Sequence, residues 1–176
     1  DFETMRRAMH RAARGYDAAG DVAGRRLAEA HEALALNGAY ASEEAHALVE
    51  RLSTEPFEGN ALAMLLMARI WVALDRGPME DLAALYARVL EIVEQEPTVA
   101  NWYKATPTTR FIGVPGMASV IARFAAGAQA AAGAQTSALS VIATVMDAWN
   151  AVWRGDADRA DEMLRHAADD TRWIEQ

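Results

Sequence analysis

The chain is predicted to be all-α, and three features of its 176 residues carry that prediction. Alanine is extreme, at about 40 residues, and Lys104 is the only lysine beside many arginines. Ala is the best helix former, with Arg, Glu and Leu close behind, and β-branched residues are scarce. Apolar residues recur at helical spacing between glycine-centred breaks. The expected architecture is a right-handed α-solenoid of stacked helical hairpins, about nine helices in a single domain over 1–176. The Ala and Arg bias also goes with a GC-rich bacterial genome.

The elements follow in order. Residues 2–18 form a first helix rich in Arg and Ala. Ala19-Gly20-Asp21 breaks it, and Asp21 is a good N-cap for a helix running to about Leu36. Asn37-Gly38 reads as its C-cap. Ser42-Glu43-Glu44 opens a third helix to about Leu52, followed by the loop Ser53-Thr54-Glu55-Pro56. The fourth helix, about Asn60 to Arg76, is apolar nearly all round, which predicts a buried central helix. Gly77-Pro78 stops it, with Pro78 at a first-turn position. The fifth helix carries Leu82, Leu85, Tyr86, Val89, Ile92 and Val93 on one face and charge on the other.

From Glu96 the pattern weakens. Pro97, Pro107 and Pro115 bracket a short helix over about 98–104 and then a loop. A helix from about Gly116 to Ala132 follows, in which Gly127 and Gly133 mark close helix approach or a break. Gln135-Thr136-Ser137 caps a helix to Arg154, and the last helix runs from about Ala157 to Trp173. Three junctions look alike: Ala19-Gly20-Asp21, Arg76-Gly77-Pro78 and Arg154-Gly155-Asp156. Their glycines lie 57 and 78 residues apart, an irregular form of a repeat built on helix pairs.

Composition excludes several function classes. A net charge of -8 argues against a phosphate-gripping surface, so no direct nucleic-acid contact is expected. With no cysteine there are no disulfides and no thiol chemistry. No signal peptide is evident. The longest nearly apolar run, Ala61 to Leu74, is broken by Arg69 and is too short to span a bilayer. A cytoplasmic protein without membrane contact is expected. The start at Asp1, already in helix-like sequence, reads as a segment of a longer multidomain protein.

Two stretches carry a family resemblance. Tyr16-Asp17-Ala18-Ala19-Gly20-Asp21-Val22-Ala23-Gly24, followed by an Ala-rich helix, resembles the opening of the helical sensor segment in large bacterial ATP-dependent transcriptional regulators. These are the maltose-regulator-like, LuxR-type proteins of the STAND class. Ala151-Val152-Trp153-Arg154-Gly155-Asp156-Ala157-Asp158-Arg159-Ala160, with Trp173 closing the next helix, is similar to tetratricopeptide-like (TPR-like) repeats in the same proteins. Residues 56–134 are similar only in rhythm. The resemblance implies a regulatory module lying between an ATPase and a DNA-binding domain. Neither a GxxxxGK[ST] phosphate loop nor a basic recognition helix is present, and the family lends no residue-by-residue site. The expected partners are a protein or peptide, or a small-molecule effector, with homo-oligomerisation also open. A generic TPR-like adaptor unrelated to transcription is the alternative. No cofactor is expected.

The candidate site residues are few. Trp102, Tyr103 and Lys104, with Arg110, sit in the proline-bracketed segment and are read as one wall of a ligand site, or as a loop pinned to the scaffold by its aromatics. Arg69 and Asp147 are lone charges in apolar helices. They either snorkel or form a structural pair, with each other or with a neighbour, or else they line a groove that meets a polar ligand. Ser140, Thr144, Asp147 and Ala151 share one face of their helix. Trp71, Trp149 and Trp153 are read as core. The histidines His10, His31, His46 and His166 fit no metal motif such as HExxH, and solvated helix faces are expected instead. Without a GxSxG elbow or a cysteine, no catalysis is expected from this segment.

Overall fold

A computed structural model describes residues 1–111, 113–133 and 137–174, with backbone only at residue 109 and at residues 170–174. The expected caps Gln135 and Thr136, and the side chain of Trp173, lie outside the described residues. The described chain is all-helical: α1 (Phe2–Ala18), α2 (Val22–Gly38), α3 (Ser42–Leu52), α4 (Gly59–Arg76), α5 (Leu82–Gln95), α6 (Val99–Lys104), α7 (Met117–Ala132), α8 (Ala138–Trp153) and α9 (Ala157–Ile174). A short 3-10 turn covers Thr109–Phe111. No strand occurs among the described residues. Two compact units divide the chain, Asp1–Ile92 and Val93–Gln176.

In the first unit α2 is central and packs against α1, α3 and α4. Its inner residues are alanines: Ala28, Ala30, Ala33 and Ala35 are all buried. Small side chains let neighbouring helices come close, and each adds apolar contact without rotamer cost. Ala33 and Leu36 join Ala45 and Val49 of α3 and Ala68 and Val72 of α4 in one cluster. Helix α4 is buried along most of its length, as its composition predicts. Arg69 interrupts that buried run and faces solvent.

The end of α2 differs from the expected cap. Asn37 and Gly38 are both inside the helix. Asn37 is buried, and its Nδ2 donates to Asp75 Oδ2 at 2.9 Å. Gly38 is small because Phe2 lies on it: a Cβ there would stand 2.5 Å from the Phe2 ring. Phe2 in turn meets Trp71 edge-on, with centroids 6.4 Å apart.

The turn itself falls two residues later, and it recurs. At Ala19-Gly20-Asp21 the glycine is left-handed (φ 72°), and the Asp21 N–H donates to the Tyr16 carbonyl at 2.9 Å. At Arg154-Gly155-Asp156 the glycine has φ 83°, and the Asp156 N–H donates to the Ala151 carbonyl at 3.0 Å. At Ala39-Tyr40-Ala41, Tyr40 takes φ 63°, and the Ala41 N–H donates to the Leu36 carbonyl at 2.9 Å. All three are Schellman closures. The expected third member, Arg76-Gly77-Pro78, does not close this way. Pro78 has no N–H to donate, and α5 begins only at Leu82.

In the second unit α8 packs on α7 and α9, and α6 packs on α7 and α8. Ala148, Ala151 and Ala160 form the α8–α9 contact, with Met163 against them. Ser137 and Ser140 make a reciprocal capping box at the start of α8. Gly133 ends α7 with φ 67°, and Gly127 marks a close approach, so the two glycines play the two roles expected of them.

Candidate functional site

The structure separates the sequence-selected residues. Trp102 is buried, at 2% exposure, and packs on Phe124 with centroids 5.9 Å apart. A ring so covered has no face to offer a ligand. Tyr103, Lys104 and Arg110 are exposed, so burial divides Trp102 from the other members of the expected wall. Asp147 is half-buried and accepts from Arg159 Nη2 at 3.4 Å, a bond within the α8–α9 hairpin. Gln129 of α7 donates to Thr144 Oγ1 and to the Ser140 carbonyl, so much of the polar face of α8 is occupied by structural bonds. Arg69 lies in a shallow cleft of about 200 Å³ with His46, Glu50 and Asp81.

Two tryptophans read as core are on the surface: Trp149 is 43% exposed and Trp153 is 63% exposed. The apolar face of α8 is wider than its partners cover. The ring of Trp153 lies over Gly113.

A second constellation carries more structure. One helix-spaced stripe of α1, His10, Ala13, Arg14 and Asp17, faces Arg25, Glu29 and Glu32 of α2, and Leu48 and Arg51 of α3 close the side. Together they line a cleft of about 440 Å³, within the range of small-ligand sites. Ala13 and Glu32 are buried, whereas His10, Arg14 and Asp17 are exposed at the mouth.

The charges in this cleft are held in place. Arg25 reaches Glu29 at 2.7 Å, Glu55 at 2.8 Å and Asp17 at 3.8 Å. Arg51 reaches Glu29 at 3.0 Å and Glu55 at 3.7 Å. Arg26 meets Glu55 at 3.4 Å while its guanidinium lies 5.8 Å above the Phe57 ring. The hydrogen bond from Arg25 holds the Glu55 carboxyl below the usual carboxylate range, and the same bond raises Arg25. Glu32 meets the imidazole, with His10 Nδ1 3.0 Å from its Oε1, and acts through space on Arg6.

Protein-family models, curated proteins and solved structures give no match to the chain.

The cleft was legible only in part. Arg25 with Glu29 is an i, i+4 pair that marks the charged face of α2, whereas Glu55, four residues after Arg51, lies in the loop beyond α3. His10, Ala13, Arg14 and Asp17 share one face by their spacing. That these faces converge depends on the helix packing, which spacing does not specify. Among the described residues no three His, Asp or Glu side chains gather as a metal-holding group. His31 and His166 are engaged within their own helices, each ring Nδ1 lying near the carbonyl four residues back. No helix among the described residues is long and apolar enough to cross a membrane.

Proposed function

We propose that this chain is a non-catalytic binding module, a stack of TPR-like helical hairpins in a signal-responsive bacterial transcription regulator of the LuxR-type, STAND class. Its recognition site is the charged cleft over α2. The observation that carries the reading is the fixed array of Arg25, Glu29 and Arg51 around a ligand-sized space. Pre-positioned charges recognise a partner without the ordering cost that free side chains incur. The recurring Schellman turn supports the stacked-hairpin architecture, and the two stretches quoted above support the link to transcription.

A thermal-shift screen of the chain against a broad metabolite library tests the site, because a ligand that binds only the native state raises the melting temperature. Hits abolished by Arg51→Ala support the cleft. Hits indifferent to it place the site elsewhere and overturn this assignment. The coding sequence on either side of the segment tests the regulatory context: an ATPase phosphate loop and a helix-turn-helix support it, and unrelated neighbours sink it. The alternative, a TPR-like adaptor, draws on the exposed Trp149 and Trp153 of α8. A well-folded protein with a blank metabolite screen favours that alternative.

A further inference from the structure

Resting on the binding role proposed above, we infer that the cleft takes a small zwitterion, a free amino acid or short peptide. Its ammonium group lies on Glu32 and its carboxylate on Arg14. The assignment comes from asking which lining charges already have partners. Arg25 and Arg51 are both engaged with Glu29 and Glu55. Asp17 has Arg25 within 3.8 Å. Arg14 is exposed at the mouth and makes no ion pair or hydrogen bond among the described residues. Glu32 is different again. Its side chain is only 12% exposed, and among the described residues it is in hydrogen-bond contact with the ring of His10 alone, a group whose charge depends on protonation, while the Arg6 guanidinium acts on it through space without an ion-pair contact.

A buried carboxylate without a guanidinium or ammonium in direct contact is only partly compensated by a charge acting through space. A cationic group entering the cleft supplies that partner, and Glu32 Oε2 is left to accept from it. The anionic group is received nearby. Arg14 follows His10 by one helical turn on the same face of α1, a rise of about 6 Å. His10 touches Glu32, so the Arg14 backbone stands about one turn along α1 from the residue that meets the carboxylate, and both charges line the same cleft. This suits a molecule whose ammonium and carboxylate are a few bonds apart, and it disfavours a ligand of one sign. The buried Ala13 and the flanking Leu48 leave a small apolar surface between them for the ligand's carbon atoms.

The test is calorimetric titration of the chain with the proteinogenic amino acids and with glycylglycine-type dipeptides. Each is paired with its C-terminal amide and its N-acetyl form. The expected result is a free form that binds about tenfold or more tightly than either blocked form. Arg14→Ala lowers the free form to the level of the amide, and Glu32→Gln lowers it to the level of the N-acetyl compound. The ratio of amino acid to dipeptide affinity distinguishes those two sources. Arg14 is on the surface, so its substitution serves even where Glu32→Gln fails to fold by circular dichroism. Blocked forms that bind as well as free ones overturn the zwitterion assignment, as does indifference to Arg14→Ala. Absence of binding by every member overturns it too. A metabolite hit that still depends on Arg51 then leaves the wider reading of the cleft standing, and a blank in both screens removes both.

Discussion

The indole of Trp102 lies where a side chain on Gly127 would have to go, because a Cβ built there stands 2.1 Å from the ring. The glycine in α7 is a socket for the tryptophan of α6. Gly127→Ala therefore forces Trp102 or α6 to move, and overpacking of this kind costs about 1–3 kcal/mol. Trp102→Ala leaves the socket empty and costs about 3–5 kcal/mol. Gly15→Ala has the opposite sign. Gly15 is inside α1 with nothing near its Cβ position, so alanine there adds about 0.5–1 kcal/mol of stability. Urea unfolding of the three variants decides it. A Gly127→Ala protein as stable as the parent rules out the socket.

Tyr40 performs the left-handed turn that glycine performs at residues 20 and 155. Left-handed backbone costs a residue with a Cβ about 1–2 kcal/mol. The Tyr40 side chain is 94% exposed and offsets little of that through packing. Tyr40→Gly is expected to raise stability by up to about 1 kcal/mol, and Gly20→Ala to lower it by a similar amount. Thermal melts of the two variants should shift in opposite directions. Parallel shifts would show that the φ values do not govern these turns.

Two carboxylates make the fold sensitive to acid. Arg6 and then Arg7 hold Glu3 down to about 2 through hydrogen bonds, from an ordinary value of 4.5. Arg25 holds Glu55 below its ordinary value in the same way. A carboxylate with a lower pKa in the folded chain stabilises the fold above its unfolded pKa. That stability is lost as pH falls through the folded value. Stability should therefore decline from near pH 4.5 towards pH 2, and less steeply in Glu3→Gln and Glu55→Gln. Urea midpoints measured across that window provide the check, and slopes equal to the parent's would refute it.

Much of the helical layout is legible in the sequence, and the reasons are local. Asp21 and Ser137 cap helices through their own side chains, and each accepts from a backbone N–H three residues on. Gly133 stops α7 through its own φ. What the sequence hides is set by neighbours distant along the chain. Gly38 looks like a cap until Phe2 is placed on it, and Tyr40 carries no turn signature. Arg14 and Glu32 become one site only when α1 folds back on α2. Trp102 reads as a ligand wall because its segment is bracketed by prolines, whereas Gly127, which receives it, lies on a different helix.

The tryptophans of α8 give the sharpest contrast with Trp102. Trp153 has the same ring but is 63% exposed, so little apolar area is lost when it is removed. Trp153→Ala should cost about 1 kcal/mol or less, against about 3–5 kcal/mol for Trp102→Ala. The ring still lies over Gly113, and for that reason the expected effect is small rather than absent. Gly113 is itself left-handed, at φ 88°. Acrylamide quenching offers an independent readout. Removing Trp153 should reduce the accessible fraction of the fluorescence, while Trp102→Phe should reduce the shielded fraction. Equal stability losses at the two positions would mean that α8 buries Trp153 against a surface in solution, and the exposed apolar face would then be an interface rather than a free one.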